Sequence, residues 1–400
     1  MSSAPSSMKS QVTLLALCQA LAMTTNTVLI TTAALIGYAL AADKALATLP
    51  LAIRQIVTMT VTIPASVLMQ RVGRRKGFLL GALVGIAGAG LSIYSLTIAS
   101  YWLFALSMAF LGLSNSFVGY YRFAAADVAD EASRSQAISW VIAGGIIAAV
   151  LGPWLASGSK SWFDSEIYIG AFVAVLVLQI LSALLLCFLQ IPHTPIRQKL
   201  AASSRSLFEI VRQPKFCVAT FGSTISYGVM AFVMTATPLA MTAESHSFSQ
   251  SATVIQWHVF GMFGPALVTG WLIKRFGVLT IISTGAALLL SCMALNLAGT
   301  SFWHFAIALL LLGLGWNFMY VGSTTLLTES YTPDEKAQAQ AVHDFAVFGF
   351  VAIATYFSGQ IFYRFDWAML NQISWPLVLL TLITVAWLRL WLRNPPAAQP

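Results

Sequence analysis

Charge is scarce in this chain: Asp, Glu, Lys and Arg together supply 8% of its 400 residues. A soluble globular protein has about a quarter of its residues charged, so that class is excluded. Cysteine is scarce as well. Cys18, Cys187, Cys217 and Cys292 fall singly in apolar stretches with no CxxC pair, which excludes a disulfide framework and a zinc knuckle. Buried, inert thiols are the expectation, with Cys217 and Cys292 the two that could touch a transport path. Walker loops, GxSxG and HExxH are all missing. ATP hydrolysis and covalent catalysis therefore have no support, and the chain is expected to be no enzyme and to need no cofactor. Flux through it would draw on a cation gradient, the membrane potential or downhill binding.

Apolar sequence is abundant, at 58% of residues. Runs of about 20 apolar residues, each long enough to cross a bilayer, recur from residue 10 to residue 392. Twelve are expected, near 10–40, 46–69, 77–98, 101–125, 135–157, 167–190, 215–241, 249–273, 277–298, 302–328, 337–362 and 369–392. The first follows a polar leader with Lys9 as its single charge and extends too far for a cleaved signal, so it reads as an uncleaved span. The fold class is thus an all-α polytopic membrane protein in contact with membrane lipids.

The formal charge of +8 would suggest nucleic acid in a soluble protein, but its placement points elsewhere. Sixteen Lys and Arg fall on the side of the even loops and both termini, while only Lys44, Lys160 and Arg364 fall opposite; Arg54 and Arg122 lie inside spans. The positive-inside rule then puts both termini in the cytoplasm, with the chain in the cell inner membrane. No nucleic-acid partner is expected, and the chain is expected to act as a monomer.

A Pro- and Arg-containing loop near 191–214 divides the chain into a six-helix half over 1–190 and another over 215–400. The halves repeat. Arg71-Val72-Gly73 matches Arg275-Phe276-Gly277 at an offset of 204, and Asp130-Glu131 with Gln136-Ala137 matches Asp334-Glu335 with Gln340-Ala341 at the same offset. Leu111-Gly112-Leu113 matches Leu312-Gly313-Leu314 at 201. Duplicated six-helix halves resemble the plan of major facilitator transporters, which implies twelve spans and a substrate site between halves near the midplane. The segment Gln70-Arg71-Val72-Gly73-Arg74-Arg75 is similar to that superfamily's loop motif after the second span, except that Gln70 stands where an acidic residue is usual. Two readings of this loop remain open: a latch against Asp127, Asp130 and Glu131, or topology-setting charge alone.

Candidate functional residues come from the seventh and eighth spans. Met230 and Met234 are spaced i, i+4, as are His258 and Met262, so each pair projects from one helical face. Both pairs should lie roughly 10–20 Å below the same membrane face. Uncharged thioethers discriminate against hard cations and favour copper, Cu(I) above all, and a neutral imidazole adds affinity. Each doublet alone reads as helix packing; their occurrence together at one depth is more specific. MxxxM on the seventh span with HxxxM on the eighth is similar to the signature of the CcoA-like copper transporters. That resemblance implies copper import for cytochrome oxidase assembly, with Met230, Met234, His258 and Met262 as metal ligands and a cytoplasmic acceptor for the released ion.

The offset of 204 carries Met230 onto Asn26, Met262 onto Thr58 and His258 onto Arg54, so the first half offers a polar, cationic face where the second offers a soft one. Arg54 reads either as a cavity charge or as an interhelical hydrogen-bond donor. Asp127, His343 and Asp344 are candidates for proton relay, or else cap helices and form gate contacts, and Arg122 is taken as the partner of Asp127. An alternative cargo is a small organic solute such as a flavin or drug, suited by an aromatic content of 12%. A third reading, a non-transporting copper sensor or assembly subunit, is opposed by the short loops.

Overall fold

A computed structural model describes residues 8–130, 133–159, 162–163, 168–191, 205–332 and 335–393. Among them there is no strand. The helices of the first half are α1 (Met8–Leu40), α2 (Leu49–Val72), α3 (Arg74–Thr97), α4 (Tyr101–Val118), α5 (Tyr121–Val128), α6 (Arg134–Ser159) and α7 (Ile169–Cys187). After a short α8 (Leu207–Val211) come α9 (Pro214–Ala243), α10 (Phe248–Phe263), α11 (Ala266–Phe276), α12 (Val278–Ala298), α13 (Phe302–Leu327), α14 (Lys336–Arg364) and α15 (Trp367–Arg393). Ten helical stretches among the described residues are long and apolar enough to cross a membrane, and Ala143–Ser159 is a shorter apolar helix within α6. In a bilayer every backbone N–H and C=O needs an internal partner, which is why these runs are helices and nothing else.

Two expected spans are broken. The fourth divides at Gly119-Tyr120 into α4 and α5, and the eighth divides at Gly264-Pro265 into α10 and α11. The second break has a plain cause: Pro265 has no N–H to donate and its ring crowds the preceding turn, so the chain restarts with Pro265 as the N-cap of α11. Pro238 acts more mildly inside α9. Its missing N–H leaves the Met234 carbonyl without an intrahelical donor, which weakens the backbone ladder at the methionine doublet.

The chain forms two compact units, Met1–Arg197 with Ser247–Gln256, and Gln198–His246 with Trp257–Pro400. Most of the 191–214 loop lies outside the described residues, as do Glu131 and Asp334 of the repeated acidic pairs. Within the first unit α1 packs on α6 and α7, and α4 on α2 and α3. Within the second, α9 packs on α13, α14 and α15, and α12 on α13 and α15.

The repeat is visible in the backbone. Gly73 (φ 88°, ψ 151°) and Gly277 (φ 86°, ψ 147°) occupy the same left-handed region, each ending one helix and opening the next. Only glycine adopts that conformation without strain. Farther into the membrane, a methyl group on Gly112 would collide with the Arg54 carbonyl, and one on Gly313 would collide with the His258 carbonyl. Both halves therefore bring two helices into backbone contact at an equivalent glycine.

Candidate substrate site in the C-terminal half

Helix α9 carries the richest face of the second unit. Thr220, Ser223, Thr224, Tyr227, Met230 and Met234 recur at three- and four-residue spacings, with Ser223 and Thr224 adjacent, which confines them to about a third of the helix circumference. Met230 and Met234 are 1% and 7% exposed, so the face is buried at that level. Tyr227 is the centre of a ring cluster. Its ring centroid lies 5.4 Å from Trp316 and 5.4 Å from Tyr320 on α13, and 5.7 Å from Phe348 on α14, all edge-on. Trp316 and Tyr320, one turn apart, stack at 5.2 Å with planes only 10° from parallel. Phe263 at the end of α10 adds an edge contact to Trp316 at 6.4 Å.

Such a cluster offers flat faces and ring edges to a planar aromatic molecule. It also carries a directed donor: Trp316 is buried, and its indole Nε1 has no hydrogen-bond partner among the described residues. The sequence reading did not find this cluster. Its signal was the i, i+4 pair Trp316 and Tyr320 on the tenth span and Tyr227 three residues before Met230, but nothing in the chain's order says that these rings meet.

His258 is fully buried, with Nδ1 2.9 Å from the Leu309 carbonyl of α13. A carbonyl can only accept, so Nδ1 carries the hydrogen and the neutral ring presents its lone pair at Nε2. That atom has no partner among the described residues. Met262, also buried, lies one turn on, and its backbone carbonyl accepts from Asn317 Nδ2 at 2.7 Å. Met230 and Met234 on α9 and His258 and Met262 on α10 are thus all buried, with α13 bonded to both helices; Ser226 Oγ on α9 reaches the Trp316 carbonyl at 3.3 Å.

The first half is arranged differently. Thr24, Thr27, Thr31 and Thr32 of α1 turn back onto carbonyls of their own helix at 2.8–3.1 Å, and Asn26 among them is partly buried. Arg54 is 3% exposed and borders a cavity of about 10 Å³ with Thr25, Ser114, Asn115 and Gln179, room for a single water. Asp127 pairs with Arg74, not with Arg122, whose guanidinium instead lies 4.8 Å from the Phe123 ring. Residues five apart stand on different sides of a helix, which is why the expected Arg122 pairing fails. The loop motif does reach Asp127. Asp344, largely exposed, accepts a hydrogen bond from Nδ1 of buried His343 at 3.0 Å. Cys18 and Cys292 are buried as expected, but Cys187 and Cys217 are exposed, since each sits near a helix end.

The sequence pattern of the Major Facilitator Superfamily matches residues 15–277 and 217–400. Among curated proteins, this chain is 37% identical over 375 residues to "Riboflavin transporter RfnT" of Brucella anthropi, covering 93% of this chain and 94% of that one. It is 29% identical to "Uncharacterized MFS-type transporter YdeG" of Bacillus subtilis, over 90% of this chain and 87% of the other. Among solved structures, the human organic anion transporter MFSD10 (TETRAN) superposes with a TM-score of 0.67 at 15% identity, covering 95% of this chain and all of that one, a likeness of fold alone. None of these relatives is named as a copper transporter, so that resemblance rests on the two doublets by themselves.

Proposed function

The chain belongs to the Major Facilitator Superfamily, and from that premise we propose that it is a secondary transporter, not an enzyme, whose cargo is a flavin, with riboflavin the first candidate. The ring cluster of Tyr227, Trp316, Tyr320 and Phe348 carries this reading. A flavin is a flat, uncharged, electron-poor ring system, and stacked electron-rich rings with a free indole N–H are complementary to it. The near full-length kinship with a riboflavin transporter supports the same cargo. The charge asymmetry of the loops supports residence in the cell inner membrane with both termini cytoplasmic.

Riboflavin uptake into cells lacking their own uptake system tests the proposal. Wild type should accumulate riboflavin. Trp316→Ala should reduce accumulation about tenfold, the equivalent of ~1.4 kcal/mol of lost ring contacts. Wild type without riboflavin accumulation overturns the reading.

Copper import remains a second reading because of one observation, the buried His258 Nε2 without a partner in a soft-atom neighbourhood. Met230, Met234 and Met262 would complete the donor set, and a cytoplasmic acceptor would take the ion. The same cells assayed for copper decide between the two. Copper accumulation abolished by Met234→Leu and by His258→Ala, with riboflavin uptake intact, would favour the metal.

A further inference from the structure

A hydroxyl inside a transmembrane helix ordinarily bonds the carbonyl one turn back, because lipid offers it nothing else. Thr24, Thr27, Thr31 and Thr32 of α1 do so, and so do Thr237 and Thr242 toward the far end of α9, at 2.9 and 2.8 Å; Thr25, which borders the Arg54 cavity, does not. Thr220, Ser223 and Thr224 of α9 and Ser323 of α13 do not. Their oxygens are shielded from solvent and have no hydrogen-bond partner among the described residues. Ser223 and Ser323 are fully buried. An unmade hydrogen bond at such a place lowers stability, and four together call for a reason.

Their position supplies one. Thr220, Ser223 and Thr224 precede Tyr227 by seven, four and three residues, on the same face of α9. Ser323 follows Tyr320 by three residues and Trp316 by seven, and so continues the α13 ring pair. The two helices bring these hydroxyls to one level, for a methyl group on Gly222, the neighbour of Ser223, would strike Ser323 Oγ. The hydroxyls thus extend the ring cluster by one to two turns, roughly 5–10 Å along the helices. Charge is missing here. Between Lys215 and Glu244 α9 has no charged residue, and α13 has none at all.

We propose that Thr220, Ser223, Thr224 and Ser323 form a polyol subsite that reads the sugar-alcohol chain of a flavin while Tyr227, Trp316 and Tyr320 take its rings. This rests on the flavin reading and adds which part of the cargo is recognised. A hydroxylated chain matches the subsite because each hydroxyl both donates and accepts. A phosphorylated chain does not, because the subsite has no cation for it.

Full-length protein in proteoliposomes provides the test, with uptake of riboflavin measured against lumiflavin, the same ring bearing a methyl group in place of the polyol, and with riboflavin 5′-phosphate as competitor. Wild type should prefer riboflavin to lumiflavin about tenfold, and Ser223→Ala with Ser323→Ala should bring that ratio to about two. Each single change, on its separate helix, should lower the ratio part of the way, which keeps the test informative if the double variant folds badly. The phosphate ester should compete poorly, and Thr31→Val should leave the ratio unchanged. A ratio unaltered in the serine variants, or a wild type that takes both flavins equally, overturns the subsite and leaves flavin transport standing. Absence of any flavin uptake overturns both.

Discussion

The two halves share a skeleton and differ in what hangs on it. Gly73 and Gly277 have the same backbone angles within a few degrees, φ 88° and 86°. Gly112 sits on the Arg54 carbonyl as Gly313 sits on the His258 carbonyl. Side chains at those matched places diverge: a guanidinium beside a water-sized polar cavity in one half, an imidazole with a free nitrogen in the other. The hydroxyls diverge most. Thr24, Thr27, Thr31 and Thr32 of α1 are tied to their own helix, whereas Thr220, Ser223 and Thr224 on the first turns of α9 are not. Backbone contacts of a duplicated fold tolerate little change because no rotamer can relieve them, while side chains pointing inward are free to acquire chemistry.

The sharpest way to break this comparison is at the shared glycines. Gly313→Val should push α10 from α13, since the obstacle is the His258 backbone, and Gly112→Val should do the same between α4 and α2. Overpacking costs about 1–3 kcal/mol where side chains can yield, and the upper end or beyond is expected against backbone. Both variants should melt far below wild type or fail to accumulate in the membrane. If one half tolerates the change and the other does not, the halves are not built alike.

A smaller effect separates the hydroxyls. Thr31→Val removes a made hydrogen bond and should lower stability by ~0.5–1.5 kcal/mol, whereas Ser223→Ala removes a buried hydroxyl that has none and should leave stability unchanged or raise it. Thermal unfolding in detergent, without ligand, reads the sign. The same sign for both would mean that Ser223 has a partner after all, and the contrast between α1 and α9 would dissolve.

Much of the scaffold was legible beforehand because membrane burial leaves few alternatives. A run of 20 apolar residues must be a helix, a glycine after Arg-Val or Arg-Phe at a loop invites a positive φ, and the offset of 204 between Gly73 and Gly277 survives directly in their angles. Local breaks were less legible. Gly264-Pro265 is a plain stop signal, yet the apolar run continues through it, so composition alone smoothed α10 and α11 into one span. The partner of Asp127 was misjudged because Arg122 is near in sequence and Arg74 near in space. Most of the candidate site was hidden for the same reason: Tyr227 meets Trp316 and Phe348 from three different helices, and no periodicity within one helix records such a meeting. The methionine doublets were conspicuous, but a doublet on one face looks the same whether it binds metal or packs.

The mildest expected effect concerns the charged contacts outside the spans, where the halves also differ. In the first half Arg74 meets a partly exposed Asp127, an arrangement that contributes little in water. In the second, Glu335 at the start of α14 is almost wholly buried and receives Arg205 through two nitrogens, Nε at 2.7 Å, together with the Thr332 amide at 2.8 Å. The Arg205 hydrogen bonds, helped by that amide, hold the Glu335 carboxyl down to about 2 from an ordinary 4.5. A carboxyl lowered on folding stabilises the protein above its unfolded value, and that contribution is lost as pH falls through the folded one. The clamp should therefore act fully above pH 4.5 and fade between there and about 2. Arg205→Gln should melt below wild type at pH 7, and the two curves should converge as pH drops across that window, while Arg74→Gln should barely move the melting temperature at any pH. Curves that stay apart at the acid end would show that Arg205 acts through packing of its stem and not through the Glu335 charge.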